Sequence, residues 1–466
     1  MVQWANFPWE RPLYANADEA ILRQAVATVE NATANEAGGF SRFPGLRMFS
    51  RFPGQRVYAR AWRDDVYCCT DEGRTFRVDR YGNAEDVTGV PLSGGRRVIM
   101  DATDDRLVMA AGGPIVQLYG AKTSLLSPDA QPSTHIFYVD GYLGAIEANS
   151  QRWRHCAPGE YESWQAIDTF SANAKPDNIH AAVVTPYREL LIGGPDHIEQ
   201  FERLPNGSQP FARRWSTGEG VAYPYTLVAD KTGTYGVNPD AQFVRFAGQV
   251  SQNESEAVGL PLSRVDDWTD AWAQALRSDG SSFVVLQAPN ASTPYDTKGL
   301  TLLLDLSNRR WSFLYGFDKD GNQPTRYPAW SFVRAWNKLY AGVAGGLAEV
   351  APDAYDLLGE PMPFVIRSGH IDKFGPSRID DLRIRVKRGV GGIAGRVPRI
   401  GLRVNRDQDG FDQWTWEELG NAGQSETVIR FGNQGSAETW QFEIRVSDPV
   451  DVQFVSMDIW VQRLGH

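Results

Sequence analysis

The stretch Ile136-Phe-Tyr-Val-Asp-Gly-Tyr-Leu-Gly-Ala-Ile146 sets two apolar runs around the pair Asp140-Gly141, and its reading decides that of the chain. Asp-Gly between two apolar runs is the signal for a tight two-residue hairpin. Downstream, Ala181-Ala-Val-Val184, Glu189-Leu-Leu-Ile-Gly-Gly194 and His197-Ile-Glu-Gln-Phe201 repeat the pattern of strand, turn and strand. Between the two units runs a long connection from Trp153 to Lys175-Pro176-Asp177, carrying Tyr161, Trp164, Ile167, Asp168, Ser171 and Ala172. Nothing between residues 138 and 201 has a catalytic pattern. The stretch is a recurring β module with a decorated connection.

The same module recurs along the chain. Turn signals stand at Asp71-Glu-Gly73, Gly112-Gly113, Gly193-Gly194, Lys231-Thr-Gly233 and Gly345-Gly346. Gly73 to Gly112 is 39 residues, Gly112 to Gly193 is 81 and Gly193 to Gly233 is 40. A period near 40 in an all-β chain is the spacing of four-stranded propeller blades. The rival, a linear β solenoid, has shorter coils. Seven intervals follow: 57–90, 96–127, 134–170, 178–215, 224–256, 270–317 and 327–358. The sixth carries an insertion at Ala288-Pro-Asn-Ala-Ser-Thr-Pro-Tyr295 that breaks two strands, and ends in a hairpin turning at Ser307-Asn308. Six or seven blades stay open, because the N-terminal segment can supply a closing strand.

Outside the repeat, residues 16–30 have helical spacing, with Asn16 as cap and Ile21, Ala25, Val26 and Val29 on one face. Two copies of one motif follow, Ser41-Arg-Phe-Pro-Gly45 and Ser50-Arg-Phe-Pro-Gly54, read as a local duplication. Beyond Pro361-Met-Pro363 the texture changes to clean alternation, as in Leu382-Arg-Ile-Arg-Val386 and Trp440-Gln-Phe-Glu-Ile-Arg-Val446. Such alternation marks a half-buried antiparallel sheet. The expected organisation is therefore a short N-terminal helix and arm over 1–56, a β-propeller of six or seven blades over 57–360, and a C-terminal antiparallel β-sandwich over 361–466.

Composition narrows the function classes. The chain has 466 residues with 42% hydrophobic and 12% aromatic content, enough for large cores, and a net charge of −10. An acidic balance argues against reading nucleic acid with a basic face. Cys68, Cys69 and Cys156 are too few for a disulfide framework. The N-terminus lacks a basic and apolar leader, and no run reaches a spanning length, so a soluble protein made in the cytoplasm is expected.

The chemistry-bearing patterns are weak. Asp64-Asp65, Asp104-Asp105, Asp266-Asp267 and Asp380-Asp381 are paired carboxylates of the kind glycosidases use. The first two occupy one slot, the turn before an apolar strand, which makes them structural punctuation. Asp318-Lys-Asp320-Gly321 and Asp407-Gln-Asp409-Gly410 begin like calcium loops but lack the later ligands, so they read as turns. The six histidines form no metal motif. Gly389-Val-Gly-Gly-Ile-Ala-Gly395 lacks the βαβ setting of a phosphate loop and reads as a hairpin tip. Trp153, Tyr161 and Trp164, like Trp414 and Trp416, suit a core or a subunit interface equally, ahead of sugar stacking. No cofactor or metal is expected.

The connection also resembles a known family. The series W-x-x-I-D, S-A, K-P-D-x-I, then E-L-hydrophobic-G-x-x-x-I-E-x-F, is filled here by Trp164, Asp168, Ser171, Ala172, Lys175, Pro176, Asp177, Glu189, Gly193, Ile198, Glu199 and Phe201. It is similar to the packaged-DNA-stabilisation proteins of short-tailed phages, the podovirus tail hubs. An R-x-F-P-G near the N-terminus and Asp409, Gly410, Trp414, Arg445, Pro449 and Val450 near the C-terminus extend the resemblance almost collinearly. Over 220–360 only the pattern of strands matches.

The resemblance implies a virion protein without bond chemistry. It implies a homohexameric ring below the portal and its head-to-tail adaptor ring, carrying tailspikes or fibres and a needle or plug, and sealing DNA in the head. DNA is expected to pass without specific binding, along an acidic channel. No membrane is involved in assembly. Because long loops in compact folds are usually functional, the loop 150–177 is expected to touch a neighbouring subunit or another tail protein. Its candidates are Trp153, Tyr161, Trp164, Asp168, Lys175 and Asp177. The alternatives are a propeller glycoside hydrolase using the Asp pairs and a sugar-binding propeller.

Overall fold

The computed structural model describes residues 2–6, 26–34, 39–204, 209–278, 280–293, 297–317, 323–391, 397–420 and 426–464. The chain is all-β. Among the described residues the helices are one 3-10 turn, Glu256–Val258, and the short helix Gly259–Ser263.

Five sheets consist of four consecutive antiparallel strands each, and every one matches an interval drawn from the sequence to within one residue. The first unit is Val57–Trp62, Asp65–Thr70, Thr75–Val78 and Ala84–Asp86. The third is Ile136–Val139, Tyr142–Ile146, Arg152–His155 and Thr169–Ser171. Its opening hairpin pairs Val139 with Tyr142, and the two turn residues between them have positive φ, 50° at Asp140 and 90° at Gly141. That is the primed turn the Asp-Gly pair calls for. Second strands are the most deeply buried, as in Leu107–Ala110 and Leu190–Gly193. Covered on both faces, they read as continuous apolar runs.

The sixth and seventh units depart from this regularity. The sixth starts with Trp272–Ser278, Ser281–Ser292, Lys298–Asp305 and Arg310–Phe313, then continues into strands of the C-terminal region as one nine-stranded sheet. Residues Ala288–Ser292, expected as a loop, extend the second strand, with a register irregularity between Ala288 and Ser292. Asp266 Oδ1 accepts the Ser292 amide at 2.8 Å and Asn290 Nδ2 donates to Thr269 O at 2.7 Å, so the extension finds partners outside the ladder. In the seventh unit, Ser331–Ala335, Lys338–Val343 and Gly346–Ala351 are joined by Gly45–Arg51, which pairs antiparallel with Gly346–Ala351 from nearly 300 residues upstream. Gly45 is required there, because a Cβ would lie 2.3 Å from Asp356 O.

First strands lie side by side in chain order. Val57–Trp62 neighbours Ile99–Ala102, which neighbours Ile136–Val139, then Ala181–Val184, Val228–Asp230, Trp272–Ser278 and Ser331–Ala335. Ser331–Ala335 in turn neighbours Val57–Trp62. Side chains stitch these neighbours together. Ser331 Oγ donates to Val57 O (2.9 Å), Asp101 Oδ2 accepts the Tyr138 amide (2.7 Å), and the Gln274 amide group bonds both backbone groups of Phe332. Buried clusters fill the spaces between units, for example Tyr58, Cys69, Met100, Leu107 and Met109 between the first and second.

The C-terminal region supplies two groups of strands. Ala32–Ala34, Phe40–Arg42, Val450–Arg463, Ser377–Gly391 and Thr427–Ala437 follow one another in one sheet, with Val2–Asn6 also paired to Val450–Arg463. Val26–Glu30, Phe364–Ser368, Trp440–Val446, Arg399–Arg406 and Thr415–Glu418 form the continuation of the sixth unit. Their alternating apolar residues, such as Ile384 and Phe454 of the first group and Leu402 and Phe442 of the second, enter one buried cluster.

The helix expected over 16–30 is corrected in its second half. Val26–Glu30 is a strand, antiparallel to Phe364–Ser368 and touching Phe313 on its other side. Val26, Thr28 and Val29 are β-branched, and burial of Val29 between sheets outweighs helical spacing. Residues 16–25 lie outside the described residues, as do Asp318–Gly321 and 392–395 of the glycine-rich stretch. Asp407, at the other suspected calcium loop, accepts the amides of Glu438 and Thr439 as a turn residue. All three cysteines are buried free thiols.

Candidate functional site

The long connection does not project from the third unit but folds back over it. Trp153 is fully buried. It stacks on Phe170 (centroids 4.7 Å apart) and meets Phe137, Phe201 and Phe211 edge-on, at the boundary of the third and fourth units. Tyr161 and Trp164 are buried on the opposite side, in a cluster with Val108, Leu126, Ile136, Leu143 and Cys156 from the second and third units. Trp164 Nε1 donates to Tyr161 O (2.9 Å), and Tyr161 Oη lies 3.2 Å from Asp104 Oδ1. Within one chain these three aromatics are core. Among the described residues of the loop, the exposed large apolar side chain is Ile167, 85% accessible.

The polar candidates hold the end of the connection. Asp168 is half-buried and its carbonyl accepts the His155 amide at 3.1 Å. Lys175 Nζ donates to Gly218 O (2.6 Å), while its own carbonyl accepts from Gln151 Nε2 (2.8 Å). Asp177 Oδ2 accepts the Asp196 amide at 2.9 Å, and its Oδ1 sits 2.5 Å from His197 Nδ1. His197 Nε2 in turn lies 3.4 Å from Glu199 Oε1. Glu199 also takes the Ala174 amide (2.6 Å) and faces Arg213 Nη1 at 3.3 Å. The side chains of His197 and Glu199 have no solvent exposure.

Asp177, His197 and Glu199 thus form a buried ionic knot, with the exposed Arg213 at its rim, tying the loop to the fourth unit. Burial by itself lowers the His197 pKa, but Glu199 and Asp177 on its two sides outweigh burial and raise it. Burial pushes Glu199 up, yet His197, the Ala174 amide and Arg213 bring it below the usual carboxylate range. Each ring nitrogen of His197 faces one carboxylate, so removing either Asp177 or Glu199 leaves a buried charge unbalanced. No substrate reaches a group with zero exposure, so the knot can position a loop but not transform a ligand. Sequence reading named Asp177 and Glu199 but passed over His197 and Arg213. The available signal was the i, i+2 spacing of His197 and Glu199, which puts both on one strand face.

The paired carboxylates serve turns and strand edges. Asp266 and Asp267 accept the amides of Ser292 and Thr269, which hold Asp266 down at about 2 and lower Asp267. Asp105 is kept low by Arg106, at 2.9 Å, and by Thr103. Asp380 faces Arg378 and Asp381 faces Arg383. For Asp105, Asp266 and Asp267 the shift is opposite to the one a general acid needs. No group of three or more His, Cys, Asp or Glu side chains among the described residues is arranged to hold a metal ion. No helix among them is long and apolar enough to cross a membrane.

No protein-family model matches the chain, and no curated protein does. Among solved structures it is similar to the WD40 β-propeller domain of Doa1, at 13% identity and a TM-score of 0.40, over 66% of this chain and 96% of that one. The computationally designed Ika8 protein matches at 9% identity and 0.41, over 65% and 98%. The N-terminal domain of Nup159 matches at 9% and 0.39, over 70% and 98%.

Proposed function

We propose that the chain is the structural tail hub of a short-tailed phage virion: a seven-bladed β-propeller, closed by Gly45–Arg51, that carries a C-terminal β-sandwich. The observation that carries this reading is the use made of the residues behind the resemblance. Lys175, Asp177 and Glu199 all bind the loop to its sheet, and Trp164 anchors it in the core. Arg42 and Phe43 of the first R-x-F-P-G copy are buried where the N-terminal segment passes between the two strand systems. Such a pattern suits a part whose job is to hold shape under load. The circle of first strands supports seven blades, and the common core of the two C-terminal strand groups supports a sandwich.

In this reading the protein assembles as a homohexameric ring below the portal and adaptor. It anchors needle and tailspikes and holds DNA in the head sterically, without cofactor or turnover. Exposed loop residues such as Ile167, rather than Trp153, Tyr161 and Trp164, then meet the neighbour. The test is particle imaging of the purified protein at increasing concentration. Six-fold rings are expected. A persistent monomer that hydrolyses or binds glycans through its Asp pairs or Trp residues would replace this reading with the glycosidase or lectin one.

A further inference from the structure

The second place of chemical interest is a cavity of about 490 Å³ lined by residues of all seven first strands or the turns that lead into them, including Tyr58, Arg60, Arg97, His135, Tyr225 and Arg334. Its lining contains three guanidinium groups and no carboxylate, in a chain whose net charge is −10. Arg60 is committed to Asp101 at 2.6 Å, and Asp101 also holds the Tyr138 amide. Arg334 is exposed.

Arg97 is different. It is 8% exposed, and its side chain makes no hydrogen bond or ion pair with any described residue. Its guanidinium lies over the Tyr58 ring at 5.0 Å and over the Trp272 ring at 4.5 Å. Aromatic faces orient a cation and stabilise it in part, but they supply no acceptor for five N–H donors. Asp270, whose charge reaches Arg97, is engaged by Arg56 at 2.5 Å. A buried cation without an acceptor is costly unless something else fills its donors. Burial accordingly lowers the Arg97 pKa to about 10, with the phenols of Tyr58 and Tyr225 acting against it. Tyr225, stacked on His135 at 5.1 Å, has a hydroxyl that bonds no described residue.

We propose that this cavity binds a small oxyanion, a carboxylate or phosphate group, with Arg97 as its principal cation and the Tyr225 hydroxyl as a second donor. The volume is that of a small-molecule site, and the planar fork of Arg97 matches two oxygens of either group. The rings of Tyr58 and Trp272 hold the guanidinium plane fixed, so little conformational freedom is lost on binding.

Thermal melting and calorimetric titration of the full chain test this, using inorganic phosphate and citrate as probes and sodium chloride at matched ionic strength as control. Phosphate, citrate or both should raise the melting temperature beyond chloride. Arg97→Gln should weaken that binding about 10- to 100-fold, the worth of hydrogen bonds to a charged group. Tyr225→Phe, which keeps the ring, should weaken it about 3- to 10-fold. Arg51→Gln, on an exposed residue, should leave it unchanged. Binding of citrate alone assigns a carboxylate ligand, and binding of both assigns oxyanions generally. If Arg97→Gln does not fold, Tyr225→Phe decides. The proposal is overturned if neither probe exceeds chloride, or if the variants that fold bind like the wild type. Ring assembly, read by particle symmetry, is unaffected by that outcome.

Discussion

Replacing Arg42 with methionine asks how much one buried cation holds the N-terminal segment in place. Arg42 is 8% exposed and donates to four carbonyls: Asp448 (2.7 Å), Val450 (2.8 Å), Val446 (3.2 Å) and Met362. These belong to the chain entering the C-terminal strands and to the turn between the last two of them. Methionine keeps most of the length and volume but leaves four acceptors without that donor. Each lost bond is worth about 0.5–1.5 kcal/mol net. Relief from burying the charge, which lowers the Arg42 pKa to about 10, offsets part of this. Four such bonds less that relief leave an expected loss of about 3 kcal/mol. The assay is amide hydrogen exchange across residues 362–368 and 446–452, which reads local opening apart from global unfolding. Arg51→Met is the internal control: Arg51 holds the same place in the second motif copy but is exposed, and its change should stay within about 0.5 kcal/mol. If Arg42→Met stays within about 1 kcal/mol, the carbonyls have other donors and the clamp is not what joins the segments.

Three further outcomes are expected. For the ionic knot, the raised His197 pKa makes its contribution complete below the ordinary value of 6.5 and lost as pH rises through the folded value, while the lowered Glu199 contributes above 4.5 and is lost as pH falls below that. Exchange protection of residues 172–178 should therefore peak between those limits, and His197→Gln should flatten the alkaline side of the profile. Trp153→Ala should lower stability by about 3–5 kcal/mol through cavity formation, whereas Ile167→Asp should leave denaturation within about 0.5 kcal/mol and reduce ring formation; equal effects on stability would contradict their different burial. Finally, the isolated protein should not retard duplex DNA at physiological salt, and tight binding with a steep salt dependence in a gel-shift assay would refute the repelling channel.

The sequence determined the local part of this protein. A hairpin such as Ile136–Ile146 brings together residues a few positions apart, so alternation and the Asp140-Gly141 turn suffice to specify it, and the 40-residue period follows from repeating such units. The tertiary structure decided everything that depends on long separation. Val26–Glu30 has helical spacing but is drawn into a sheet by partners more than 280 residues away. Two copies of Ser-Arg-Phe-Pro-Gly are equivalent as text, yet only the first places its arginine among buried carbonyls. Trp153 and Ile167 lie in one connection, and alternation could not say which is sealed and which faces solvent, because the loop's path over neighbouring units sets that. The partners of His197, and the absence of a hydrogen-bond acceptor for the Arg97 side chain among the described residues, arise the same way. A side chain's charge balance is fixed by what the folded chain brings within a few ångströms, not by what stands beside it in sequence.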